Sequence, residues 1–368
     1  MQKRKNIVLF VGAGASRACG YPVTGDILPR ILECLKQGEF LRGKLRDKHI
    51  GANARPLLRM LRYLVPRTDV GSIPQITEVL SILDYCIDTG EELLPVTPHT
   101  LKLTDARWLL ERAMARVIRR IHRNPDVVPR DILKWIHRAK RQGGDVTIIS
   151  TNYDFSLDRL LFDDMANWDR DYLKTDFGFS WRDPDNGELV HPSSKPILRL
   201  YKLHGSLNWL GCNRCGNIYV NFMRTLVTLA DGKGEWSQCE CGYWPLRAVL
   251  VAPSFVRRYR DRNLLSVWRS AAEALRLADN WVFIGFSLPA EDIGIRALLL
   301  RSLLSRDEHP NAHVVSASDE ALPRYRQLVP KCVYTSDGLR RFLDNDCRWQ
   351  YATGQKRAPD PWFLMNQL

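Results

Sequence analysis

The stretch Ile7–Pro22 reads IVLFVGAGASRACGYP. Five apolar residues, Ile7 to Val11, run without alternation into Gly12-Ala13-Gly14-Ala15-Ser16. A run with no polar face reads as a strand buried on both sides, as in a parallel sheet covered by helices. The turn after it carries almost no side-chain bulk. Backbone N–H groups could therefore approach a phosphate there, helped by the positive end of a helix opening near Ser16. The dinucleotide fingerprint G-x-G-x-x-G asks for glycine where Arg17 stands, and the next glycine is Gly20. Alone, the turn admits two readings: a nucleotide site, or plain strand-helix packing.

The 368 residues are 45% hydrophobic and 26% charged, ordinary globular material, and suffice for one major domain with one or two insertions. No apolar run nears the roughly 18 to 20 residues of a membrane helix. The basic opening Met1-Gln2-Lys3-Arg4-Lys5 leads straight into the buried strand, so no signal peptide is expected. Lys and Arg number 54 against 41 Asp and Glu, a net charge of +13. The excess is dispersed over residues 42–48, 112–123, 134–141 and 257–262, which reads as solvated helix faces before it reads as a nucleic-acid or acidic-protein surface. Nine cysteines, five of them single (Cys19, Cys34, Cys86, Cys332, Cys347), argue against a secreted disulfide framework and for a reducing cytoplasm.

Beyond Pro22, helical spacing returns with Ile27, Ile31 and Leu35. Residues 35–140 are helical in texture and strand-poor, with apolar faces at Leu57, Leu58, Leu61 and Leu64, at Ile76, Val79, Leu80 and Leu83, and along Trp108–Ile121. They read as a helical insertion without nameable chemistry. A second strand, Asp145–Ser150, ends in Thr151-Asn152-Tyr153-Asp154 before a helix, where the polar residues either face a ligand crevice or cap that helix. Residues 163–196 look irregular. A third strand, Ile197–Leu203, ends in His204-Gly205. Cys212-x-x-Cys215 and Cys239-x-Cys241, each pair followed by glycine, resemble a zinc ribbon, although the one-residue spacer leaves full four-cysteine ligation open. Further strands at Ala248–Val251, Trp281–Ile284 and Ala312–Val315 end in Ala252-Pro253-Ser254, Gly285-Phe286-Ser287 and Ser316-Ala317-Ser318-Asp319. Six such strands define an α/β fold with a doubly wound parallel sheet and a crevice along one edge.

Taken together, Gly12-Ala13-Gly14-Ala15-Ser16, Asn152-Tyr153-Asp154, His204-Gly205 and Gly285-Phe286-Ser287, with paired cysteines after the histidine, resemble the sirtuin superfamily. More narrowly, the chain is similar to bacterial sirtuin-like proteins of anti-phage defence that hydrolyse NAD. The resemblance implies a Rossmann-like NAD-binding domain split over residues 1–34 and 141–325, a helical insertion at 35–140, a zinc-ribbon-like module at 210–246 and a tail at 326–368. It implies that Gly12, Ala13, Gly14 and Ser16 cradle the pyrophosphate, that Asn152 holds the ribose and the attacking water, that Asp154 grips the nicotinamide carboxamide, and that His204 is the general base. Gly285 and Ser287 would contact phosphate or the distal ribose, and Thr151, Tyr153, Ser316 and Asp319 would complete the NAD-contacting set. Structural Zn2+ would sit on Cys212, Cys215, Cys239 and Cys241.

Two departures point from deacylation toward hydrolysis. The Phe-Arg pair with which deacylases shield the reacting ribose is missing after Gly20-Tyr21-Pro22, where Val23-Thr24-Gly25-Asp26 follows. The Phe-Gly-Glu run whose backbone pairs with an acyl-lysine peptide is replaced by Ala252-Pro253-Ser254-Phe255, and proline lacks the N–H that pairing needs. The resulting expectation is an NAD glycohydrolase releasing nicotinamide and ADP-ribose. Such an enzyme would be held inactive until triggered, through a homo-oligomer or a partner such as a DNA-translocating hexameric ATPase. Protein deacylation or ADP-ribosyl transfer is a second reading, and a non-catalytic NAD- or ADP-ribose-sensing or nucleic-acid-binding subunit a third.

Overall fold

The computed structural model describes residues 5–17, 20–43, 45–64, 73–93, 101–119, 127–167, 174–222, 238–255 and 262–336. Its strands are β1 (Lys5–Val11), β2 (Gly144–Ser150), β3 (Thr175–Asp176), β4 (Trp181–Arg182), β5 (Leu189–Val190), β6 (Leu198–Lys202), β7 (Gly205–Gly211), β8 (Ile218–Val220), β9 (Arg247–Leu250), β10 (Asn280–Ile284), β11 (Asn311–Val315) and β12 (Val333–Thr335). The helices are α1 (Ala13–Arg17), α2 (Thr24–Lys36), α3 (Glu39–Arg42), α4 (Lys48–Ala52), α5 (Ala54–Leu64), α6 (Ile76–Thr89), α7 (Leu103–Arg119), α8 (Val127–Arg141), α9 (Ser156–Asn167), α10 (Arg262–Leu277), α11 (Ile293–Leu304) and α12 (Leu322–Leu328). No described helix is long and apolar enough to cross a membrane.

The doubly wound sheet is present, with seven strands in the order β12-β11-β10-β1-β2-β6-β3 and every pairing parallel. β1 is central, with Phe10 opposite Phe283 on one side and Ile149 on the other. All five of its apolar residues from Ile7 to Val11 are buried, which is why the run shows no alternation. The chain winds from β1 through β2 to β6 on one side, then restarts at β10 on the other. The switch point therefore falls between the tips of β1 and β10, where ligands bind in open α/β sheets.

The strand expected at Ala248–Val251 lies elsewhere. β9 pairs antiparallel with β7 in a second, five-stranded sheet of order β5-β4-β8-β7-β9. Only Leu203 and His204 separate β6 from β7, too few for the crossover a parallel neighbour requires, so the chain leaves the first sheet at His204. In its place the first sheet gains β3, from the stretch read as irregular, and β12, from the stretch read as a tail. Two- and three-residue strands carry too little pattern to be seen in sequence.

Apolar packing sorts the described residues into three clusters. One core joins the seven-stranded sheet to α8, through Ile132, Trp135, Ile136 and Ala139, and to α10 and α11. A second core is helical and begins with Ile27, Leu28 and Ile31 of α2, running through α5, α6 and α7 to Ile118. A third, small cluster surrounds Cys212 and Cys239. The expected basic residues Arg120, Arg123, Arg257, Arg258 and Arg260, residues 223–237 and the chain after residue 336 lie outside the described residues.

Candidate active site

The glycines of the opening turn bring two backbones into contact. Gly12 N–H donates to Ile284 O at 2.9 Å and Gly14 N–H to Gly285 O at 2.8 Å. A Cβ on Gly285, whose φ is +62°, would lie 2.1 Å from Ala15 N, and one on Gly12 would lie 2.6 Å from Phe286 Cα. Close strand-helix packing is thus one function of the turn, beside any ligand role. The helix expected to open near Ser16 instead spans Ala13–Arg17, too few peptides to build much of a dipole.

Ser16 links the tips of β1 and β2. Its hydroxyl donates to Asp154 Oδ2 at 2.8 Å and accepts from Asn152 Nδ2 at 2.9 Å. Asn152 Nδ2 also donates to Gly12 O at 3.1 Å, and because a carbonyl only accepts, this bond fixes which way the amide points. Asn152 Oδ1 is left buried without a partner among the described residues, in a side chain that borders the cleft. Asp154 Oδ1 accepts Ser156 N–H at 3.1 Å, so the capping role is real for Asp154 at the start of α9; Asn152 instead serves the turn.

Beneath this layer lies an ion pair that sequence reading missed. Lys202 Nζ donates to Asp154 O at 2.6 Å and to Asp158 Oδ2 at 2.9 Å, with the two side chains 1% and 2% exposed. Burial pushes the Asp158 carboxyl above its ordinary range, against the opposing pull of Lys202. The signal available was strand alternation: Lys202 shares a face with Leu198 and Leu200.

His204 is buried, and its carbonyl accepts Val251 N–H at 2.9 Å. Tyr153 stacks beside the imidazole at 6.0 Å between ring centroids and donates its hydroxyl to Val251 O at 2.7 Å. Gly205 has φ +72°, and a Cβ there would fall 1.9 Å from Val249 O. The histidine is thereby held between the two sheets.

These tips open on a cleft of about 1040 Å³, at the top of the roughly 300–1,000 Å³ usual for small-molecule sites. Ala13, Gly14, Ser16, Thr151, Asn152, Tyr153, Asp154, His204, Gly285, Ser287 and Ser316 all border it. Gly12 does not; it supplies the carbonyl that holds Asn152. Asp319 is exposed and away from the lining, while its neighbour Glu320 borders the cleft. Arg17, Thr77, Pro253, Glu291 and Arg324 border it too, and Arg324 Nε donates to Ser287 O at 2.9 Å.

The four expected cysteines come together, every sulfur within 4.8 Å of the others. The Cys212–Cys241 and Cys215–Cys239 separations of 3.6 and 3.5 Å are close to the edge of about 3.8 Å that a tetrahedron with Zn–S bonds of about 2.3 Å would have. Gly216 and Gly242, at φ +79° and +81°, turn the backbone around them, and Gly242 N–H closes the Cys-x-Cys turn on Cys239 O at 2.8 Å. That turn lets a one-residue spacer bring both thiols inward. Burial works to raise the Cys212 thiol, but the backbone N–H groups of Cys215 and Arg214 outweigh it and bring it down to about 7. Such a donor set suits a closed structural zinc site.

Fold and site together define an α/β protein with a polar cleft at the switch point of its parallel sheet and a cluster of four cysteines on an attached sheet. No protein-family model and no curated protein matches the sequence. Among solved structures, a Sir2 complex with p53 peptide and NAD+ is 12% identical with a TM-score of 0.41, covering 93% of this chain and 91% of that one. A structure on sirtuin substrate affinity is 11% identical with a TM-score of 0.41, covering 93% and 92%. A third, on the mechanism and regulation of Sir2 enzymes, is 16% identical with a TM-score of 0.33, covering 89% and 93%. Likeness at this level carries no argument about chemistry.

Proposed function

We propose that the protein is an NAD+ glycohydrolase that releases nicotinamide and ADP-ribose. The observation that carries this reading is Asn152: its amide nitrogen is spent on Gly12 O and Ser16, its amide oxygen is buried without a partner among the described residues, and its side chain borders the cleft together with His204. A buried acceptor without a partner in the chain suits a ribose hydroxyl or a water. In the proposed reaction the bond from ribose C1′ to the nicotinamide nitrogen breaks and its electron pair leaves with nicotinamide, which becomes neutral. A water oxygen bonds to C1′, and its proton passes to His204. The pyrophosphate would lie along Ala13, Gly14 and Ser16, with Arg17 and Arg324 on the same lining as cations for it.

Asp154 fits its expected role less well. Both carboxylate oxygens already accept from Ser16 and Ser156, so its part is to hold Ser16 as much as to meet nicotinamide. Zinc on Cys212, Cys215, Cys239 and Cys241 would fasten the second sheet and take no part in the reaction.

Water is favoured over a peptide acceptor by the segment after β9. Pro253 has no N–H, and Phe255 N–H is taken by Ser81 Oγ of α6 at 2.8 Å, so this edge offers a peptide few donors to pair with. Unregulated NAD loss would be lethal. A role in anti-phage defence is part of this proposal, with a basal activity of the isolated protein that self-assembly or a partner ATPase raises.

The test is nicotinamide release from NAD by the full-length protein, followed by chromatography. The wild-type protein is expected to be active without any acylated peptide. His204→Ala and Asn152→Ala are expected to lose at least about a hundredfold in kcat. Activity surviving both substitutions would refute the mechanism, and nicotinamide release only with an acylated peptide would favour deacylation.

A further inference from the structure

The helical layer sets against the cleft a residue whose side-chain oxygen has no partner among the described residues. Thr77, the second residue of α6, borders the cleft at 1% exposure, and its Oγ1 has no hydrogen-bond partner among the described residues. A buried hydroxyl left unpaired is costly, and such orphans in native proteins call for an outside partner. Helical hydroxyls commonly turn back to the carbonyl four residues earlier. Ser81, one turn along the same helix, does so, donating to Thr77 O at 2.6 Å. Thr77 does not.

Its place relative to His204 follows from a chain of contacts. Ser81 Oγ accepts Phe255 N–H at 2.8 Å and lies 3.4 Å from Ser254 Oγ. That segment continues from Val251, whose N–H is bonded to His204 O. Gln75, just before α6, also borders the cleft and makes no cap bond with its side chain. The first turns of α6 are therefore anchored on the segment that carries Pro253 and is bonded to His204, and they share the cleft lining with Ser316 and Arg324.

We propose that Thr77 binds the acceptor: its hydroxyl holds the attacking water in the cleavage of NAD. This rests on the glycohydrolase reading above. A hydroxyl can give one hydrogen bond and receive others, so it can keep the water oriented while the water's departing proton faces His204. Thr77 itself exchanges no atom. The bond to nicotinamide breaks, the bond from water to C1′ forms, and the proton leaves through His204.

The experiment gives the full-length protein NAD with increasing methanol and resolves ADP-ribose from its methyl glycoside by mass spectrometry. Thr77→Val keeps the shape and removes the hydroxyl; Thr77→Ser keeps the hydroxyl. Thr77→Val is expected to lower kcat for hydrolysis about tenfold with KM for NAD little changed, and to raise the methanol-to-water product ratio. Thr77→Ser is expected to partition as the wild type does. A wild-type product ratio in Thr77→Val, equal losses in both variants, or a rise in KM alone overturns the assignment and leaves the glycohydrolase reading standing. Absence of NAD cleavage by the wild type removes that reading, and the assignment with it.

Discussion

Ser16 does two jobs with one hydroxyl, giving its proton to Asp154 and receiving one from Asn152. Alanine at this position would leave Asn152 Nδ2 with only Gly12 O to hold it. Ser16→Ala is expected to cost about 1 kcal/mol in thermal or chemical unfolding and, under the proposed function, about tenfold in kcat. Lys202 carries a different kind of load. Lys202→Met would strand a buried Asp158, at a cost of about 3–5 kcal/mol near neutral pH. The sign with pH is fixed by the raised Asp158 carboxyl. A folded-state value above the unfolded one makes the native protein the better proton acceptor, so stability falls as pH rises through the folded value. Losing Lys202 raises that value further, so the variant's deficit should shrink on acidification; unfolding measured from neutral to acidic pH checks this. Of the site residues, those visible in sequence were the ones at strand tips, where period and punctuation coincide. Asp158 and Thr77 were invisible because their importance comes from what surrounds them, and a helix or strand pattern records only where a side chain faces; for Lys202 that pattern gave its buried face but not its partner.

Among the elements, the Cys212–Cys241 cluster is the one whose integrity depends on a missing component. The purified protein is expected to carry about one zinc per chain by elemental analysis. Cys215→Ser should lose it and melt at lower temperature, since structural zinc contributes folding energy directly. The first sheet was largely legible: β1, β2, β6, β10 and β11 each show an apolar run ending in small or polar residues. β9 misled because the expected run Ala248–Val251 is apolar throughout, while of the residues in β9 only Val249 is buried. An amphipathic helix announces an apolar face without saying which core receives it. α2 and α8 flank the helical stretch, and each joins the core that chain order did not suggest.

At the scale of the whole molecule, two large cores meet around the cleft. Tyr21, Phe155, Leu207 and Ala252 belong to the helical core, yet each lies within a few residues of a sheet tip. A ligand in the cleft would therefore bind both halves at once. With the inactive His204→Ala protein, NAD at a hundred times its dissociation constant should stabilise the fold by about 2.7 kcal/mol. Calorimetry should then show one transition moving as a unit. Two transitions, only one of them shifted, would mean that the helical layer does not share the ligand.

The passage from β6 to β7 through Leu203 and His204 has a mechanical meaning. Trp268 Nε1 donates to Leu203 O at 2.9 Å and ties that side of the passage to α10, while Val251 clasps the other through the His204 carbonyl. Of the connections between the two sheets this one is the shortest, and it carries the proposed base. A shift of the cysteine-bearing sheet against the larger one would be passed to the imidazole through this two-residue link. Strain applied far out on the smaller sheet would be felt at the cleft as torque, without any residue of the cleft being touched.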